Sequence, residues 1–145
     1  MYPTQRKRLK AASALIVLAT TYGAASMGAA PMDTSAMLVG TQEVPQVQTA
    51  ASATSSIVVA EDMSVTGSVI TSEIEATMAH IHQGAMGSSG PVLVTLVKTA
   101  DTQWSVPANT KLTTAQYQSY KAGNLYVNVH SAAHKDGEIR MQMKP

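Results

Sequence analysis

The chain has 145 residues, no cysteine and no phenylalanine, with ten lysines and arginines against nine acidic residues. Without cysteine there is no disulfide, no thiolate nucleophile and no lipidated N-terminal Cys, so the fold rests on its own core. Four of the basic residues fall within the first ten positions, and beyond them six basic stand against nine acidic residues, a charge of −3, which leaves no stripe for a polyanion and excludes nucleic acid as a partner.

Residues 1–30 read as an export leader. Arg6, Lys7, Arg8 and Lys10 precede an apolar stretch over 11–19, and the small residues of 23–30 suit signal-peptidase cleavage. Cleavage after Ala25 or Ser26 fits better than after Ala30, where Pro31 would follow the cut. The stretch is too short for a membrane span, so the mature protein is expected in the periplasm or the medium with no stable span. The remaining residues, 31–145, suit one domain.

Short β-type runs separated by polar or glycine-containing breaks follow, at 36–43, 53–60, 64–71, 75–82 and 91–98. A helix interrupts them: Thr113 and Gln116 make a capping box, Gly123 ends it, and Leu112, Tyr117 and Tyr120 form its inward stripe. Two more strands are predicted at 124–131 and 138–144, joined by the turn signal Asp136-Gly137. Seven strands at this spacing predict an all-β fold, an antiparallel β-sandwich with one short helix.

All four histidines lie in two of these segments: His80 and His82 as His-Ile-His, and His130 and His134 in Asn-Val-His-Ser-Ala-Ala-His. Strand alternation puts Met78, His80 and His82 on one face and Ala79 and Ile81 on the other. It likewise groups Tyr126, Asn128 and His130 opposite Leu125, Val127 and Val129. Both strands therefore turn an apolar row inward and a histidine row outward. If they are neighbours, about 5 Å apart, three imidazoles converge, with His134 available from the following loop. Neutral imidazole is the usual protein ligand for zinc and copper, and its protonation should weaken binding below about pH 6. A His-x-His pair alone is a weak signal, and histidines that merely hydrogen-bond a loop explain the same pattern.

Alternation also places Ile139, Met141 and Met143 on one face of the last strand and Glu138, Arg140 and Gln142 on the other, where Glu138 and Arg140 read as an exposed ion pair. Met78 on the histidine face and Met86 in the loop after His82 are candidate soft ligands for Cu(I), although methionine more often fills gaps in a core. Gly84, Gly87 and Gly90 make a loop without the strand and helix context of a phosphate-binding motif.

Several stretches carry a resemblance: Leu-Val-Gly-Thr-Gln-Glu-Val-Pro at 38–45, Ala-His-Ile-His-Gln-Gly at 79–84, Gly-Pro-Val-Leu-Val at 90–94, Ala-Gly-Asn-Leu-Tyr-Val-Asn-Val-His-Ser-Ala-Ala-His at 122–134 and Gly-Glu-Ile-Arg at 137–140. In that order they resemble the CHRD domain, first named in chordin and also found as small exported bacterial proteins. The resemblance implies a β-sandwich of immunoglobulin-like or superoxide-dismutase-like outline and puts the family's histidine positions on His80, His82, His130 and His134. It implies no established activity. One departure is Met141, where the family usually has glycine.

Three functions from different classes follow. The first is an exported metal-binding module in which His80, His82, His130 and His134 hold copper or zinc, with the metal ion and another exported protein as its partners. The second is a copper-dependent enzyme similar to superoxide dismutases, with Arg140 guiding an anion; the missing disulfide and the lack of a second zinc site weigh against it. The third is an adhesive or scaffold domain without metal. No nucleophile with a partner set is present, which argues against hydrolysis.

Overall fold

The computed structural model describes residues 36–145, and the leader lies outside them. Eleven strands and one helix are present: β1 (Met37–Val39), β2 (Ser52–Ser55), β3 (Val58–Val59), β4 (Val65–Thr66), β5 (Ser68–Ser72), β6 (Ala76–Gln83), β7 (Val92–Thr95), β8 (Val97–Ala100), β9 (Gln103–Ser105), α1 (Thr114–Lys121), β10 (Leu125–Ser131) and β11 (Ile139–Gln142). Nine strands form one antiparallel sheet in the order β7-β6-β10-β11-β1-β2-β5-β9-β8, and β3 pairs with β4 separately.

The expected sandwich is corrected by the connection between β7 and β8. These strands stand at opposite ends of the sheet order, yet only Leu96 separates them in the chain. A sheet whose two end strands are covalently adjacent must curl, and this one nearly closes into a barrel. Leu96 is buried, and its amide donates to the carbonyl of Ala79 at 2.9 Å, which ties the junction to β6.

Besides run 91–98, which breaks at Leu96 into β7 and β8, three predicted strands are interrupted for local reasons. Run 36–43 turns after Val39 into a single turn of 3-10 helix, Gly40–Gln42. Run 53–60 divides into β2 and β3, and run 64–71 divides at Gly67, whose φ of +112° suits glycine and whose missing Cβ makes room for the Ser56 backbone. Strand β9 was not signalled by any alternation, since only Trp104 of its three residues is apolar.

The interior is filled without phenylalanine. Leu38, Val69, Ile81, Leu125, Val127, Val129 and Ile139 are inaccessible, and Met141, Met143 and Trp104 complete the cluster. Met141 thus occupies core space, as alternation in the last strand predicts. The helix follows its signals. Thr113 Oγ1 accepts from the Gln116 amide at 3.2 Å while Gln116 Oε1 accepts from the Thr113 amide at 2.8 Å, and Leu112, Tyr117 and Tyr120 face the core.

Candidate metal centre

Strands β6, β10 and β11 are consecutive in the sheet, so their alternating residues line up in rows. On one face lie the apolar side chains of the core. On the other, Tyr126 stands between His82 and Gln142, and Asn128 stands between His80 and Arg140; His130 is opposite Met78. The predicted pairing of the two histidine strands is therefore present, with the register that the period of two requires.

This polar face is not turned to solvent, which corrects the expected outward row. His80, His82 and His130 are 9%, 8% and 6% exposed, and Asn128 and Arg140 only 2%. Three loop segments cover them. Residues 84–91 are held by Arg140, whose Nη1 donates to the Ser88 carbonyl at 2.9 Å and Nη2 to the Ala85 carbonyl at 3.0 Å. Gln142 Nε2 adds a bond to the Gly84 carbonyl, and the Tyr126 hydroxyl accepts from the Gly90 amide. From the second segment, Glu43 reaches in to accept from Asn128 Nδ2. From the third, the Lys135 carbonyl meets His130, and Gly137 packs where any Cβ would overlap Asn128 Nδ2 and Glu43.

Backbone carbonyls set the tautomers of two imidazoles. His82 Nδ1–H donates to Gly90 at 3.0 Å and His130 Nδ1–H to Lys135 at 2.8 Å, so each Nε2 carries a lone pair. The His130 Nε2 accepts from Nδ1–H of His80 at 3.0 Å, while the His82 Nε2 is buried with no partner among the described residues. Ring nitrogens of all three residues lie within 4.8 Å of one another. A tetrahedral ion with bonds of about 2.0 Å needs its ligand nitrogens about 3.3 Å apart, so small rotations suffice once His80 shifts its proton to Nε2. The three residues could hold a metal ion, and the carbonyl-anchored rings supply the outer support that metal-bound histidines require.

Tyr126 is wedged into this arrangement. Its ring stacks on His82 at 4.8 Å between centroids and carries the Arg140 guanidinium at 3.5 Å. A cleft of about 440 Å³ opens beside these groups, lined by Glu43, His82, Tyr126, Asn128, His130 and Lys135.

The other sequence candidates are placed differently. His134 is outside the three-histidine cluster, in a turn where its carbonyl accepts from the Ser131 and Gly137 amides. What its loop supplies to the site is the Lys135 carbonyl instead. Met78 is 44% exposed beside His130, and Met86 is 74% exposed on a separate cavity with Arg140 and Gln142. Arg140 is buried and committed to two carbonyls and to Gln142 Oε1, which corrects the expectation of an accessible anion guide. Nor do Glu138 and Arg140 form an exposed pair, since Glu138 accepts from Thr49 Oγ1 at 2.6 Å and both are buried. Sequence reasoning put Tyr126 and Asn128 on the correct face but gave them no role, and it gave none to the buried Glu43. The signal for the first two was alternation with His130; for Glu43 it was only its place in the 38–45 stretch of the resemblance.

Burial and the electrostatic influence of His130 and His82 push the His80 pKa down to about 4. Burial also lowers that of His82, although its bond to Gly90 works the other way. Glu43 moves in the opposite sense, its carboxyl raised mainly by burial. In the unfolded chain His80 takes up a proton near pH 6.5, but in the folded metal-free protein only near 4. Between those values the unfolded state binds more protons, so this contribution is complete above pH 6.5 and is lost as the pH falls toward 4. It amounts to at most about 3 kcal/mol. Urea midpoints of the metal-free protein should therefore fall across this window, and more steeply than in His80→Gln. Equal slopes in the two proteins would refute the assignment. The same depression moves proton competition at His80 below the pH 6 expected of an ordinary imidazole.

A family model described as the CHRD domain matches residues 34–143. No curated protein and no solved structure matches the chain. Among the described residues no helix is long and apolar enough to cross a membrane.

Proposed function

The chain belongs to the CHRD domain family, and from that premise we propose that it is an exported metal-binding module that holds a copper ion through His80, His82 and His130. The observation that carries this reading is the buried Nε2 of His82, without a partner among the described residues, with its lone pair fixed by the Gly90 carbonyl and two further imidazoles within reach. A buried acceptor without a partner is costly, and a cation satisfies it.

Copper is favoured over zinc by affinity alone, since three imidazoles suit either ion. Three neutral nitrogen donors with no thiolate and no carboxylate among them bind Cu(II) most tightly of the divalent first-row ions. Met78, opposite His130 in the register, is the soft donor nearest at hand if the ion is reduced. Export is read from the basic, apolar and small-residue sequence of the leader, which would put the module in the periplasm or outside the cell.

The test is metal loading of the purified protein with copper and with zinc, followed by gel filtration and metal analysis. One equivalent of copper retained in preference to zinc, and lost in a variant with all three histidines replaced by alanine, is the expected result. Retention of neither metal would favour a scaffold domain. Consumption of superoxide by the copper-loaded form would favour the enzyme.

A further inference from the structure

A second buried acceptor belongs to a residue that lines the same cleft. Oδ1 of Asn128, like Nε2 of His82, has no partner among the described residues. Its identity as an oxygen follows from its neighbour: Nδ2 of the same amide meets a Glu43 carboxylate oxygen, which accepts, so Oδ1 is turned the other way. Glu43 and the bare backbone of Gly137 lock this orientation, because any side chain at 137 would collide with the amide and the carboxylate together.

The place of Asn128 matters as much as its free oxygen. It is the Cα partner of His80, and along β10 it is flanked on its own face by Tyr126 and His130. It therefore sits among the three imidazoles while being a poor competitor for a nitrogen-loving ion. An amide oxygen is, however, a good acceptor for a proton on a water that such an ion polarises. Three protein nitrogens leave at least one position of a four-coordinate ion to an outside ligand.

We propose, resting on the metal reading above, that the remaining position on the ion is taken by an exchangeable water whose proton is accepted by Asn128 Oδ1. The centre is then open, and small protic ligands that can reproduce that hydrogen bond are the class it admits from the 440 Å³ cleft. Asn128 is a positioning residue in this arrangement, acting through the water.

The experiment loads the purified protein with Cu(II), establishes one copper per chain, and measures the relaxation rate of solvent protons. The expected result is an inner-sphere contribution in the wild type that is removed by added ammonia, which competes for the position and keeps an N–H to offer Asn128 Oδ1. Asn128→Ala should bind copper about tenfold more weakly, the range for losing an outer-sphere partner, and should alter the water contribution. Glu43→Gln, which can still accept from Asn128 Nδ2, should preserve it. A copper-loaded wild type without an exchangeable water overturns this inference and leaves the metal reading standing, and so does an Asn128→Ala protein with unchanged affinity and unchanged water relaxation. A protein that takes up no copper overturns the metal reading itself. Where Asn128→Ala does not fold, the wild-type measurement still decides whether the position is open, and Asn128→Asp, which keeps an acceptor oxygen, should retain the water contribution.

Discussion

Replacing His82 or His130 with alanine should lower copper affinity by more than about 100-fold, because loss of a mere outer-sphere partner already costs 10- to 100-fold. Each ring enters with its tautomer preset by a backbone carbonyl, so its removal sacrifices both a donor and the preorganisation built around it. His80→Ala should fall in the same range. By contrast, His134→Ala and Met86→Ala should change affinity by no more than about twofold, the scatter expected of sites that share no partner. Competition against a chelator of known affinity provides the comparison. Equal losses for His134→Ala and His82→Ala would mean that residues 132–137 rearrange on binding and bring the fourth imidazole in.

The largest effect on stability is expected at Arg140. Its guanidinium lies 2% exposed on the Tyr126 ring and donates to Ser88, Ala85 and Gln142. Arg140→Ala would leave those acceptors buried without donors and undermine the cover formed by residues 84–91. The cost should be at least about 3 kcal/mol, given that bonds from a charged donor contribute about 1.5–3 kcal/mol each and unpaired acceptors add to it. For a domain of this size that moves Tm by about 10–15 °C. Lysine should not rescue it, since a single ammonium cannot reproduce the planar fork or the stacking. Copper affinity should fall as well, because the Gly90 carbonyl that orients His82 belongs to the released segment. Thermal melts and copper titrations of Arg140→Ala and Arg140→Lys measure both consequences; a shift under about 3 °C would show that the cover holds by other means.

What could be read from the chain was whatever depends on local period. Alternation placed His80, His82 and His130 on the side away from Ile81, Val127 and Val129, and it placed Met141 in the core, because the twofold repeat of an extended strand needs no tertiary information. The cap at Thr113 was legible for the same reason, as both partners of its box lie within one turn. What was hidden depends on long connections. Arg140 meets Ser88 across 52 positions, and Asn128 meets Glu43 across 85. Those contacts convert an expected surface row into an enclosed one, and no pattern in either segment announces them. His134 lies outside the cluster for a related reason: a loop residue four positions after His130 shares no face with it once the strand ends at Ser131.

The junction at Leu96 has a consequence for how copies of this molecule meet. Both terminal strands of the sheet are four residues long, and the one running over Val97–Ala100 carries Lys98. Because the polypeptide passes from one extremity of the sheet to the other through a single residue, neither presents a long, flat ladder of free amides and carbonyls on which a second copy could add its own strand. The domain is in this way guarded against end-to-end polymerisation by its connectivity, without a disulfide to clamp it shut.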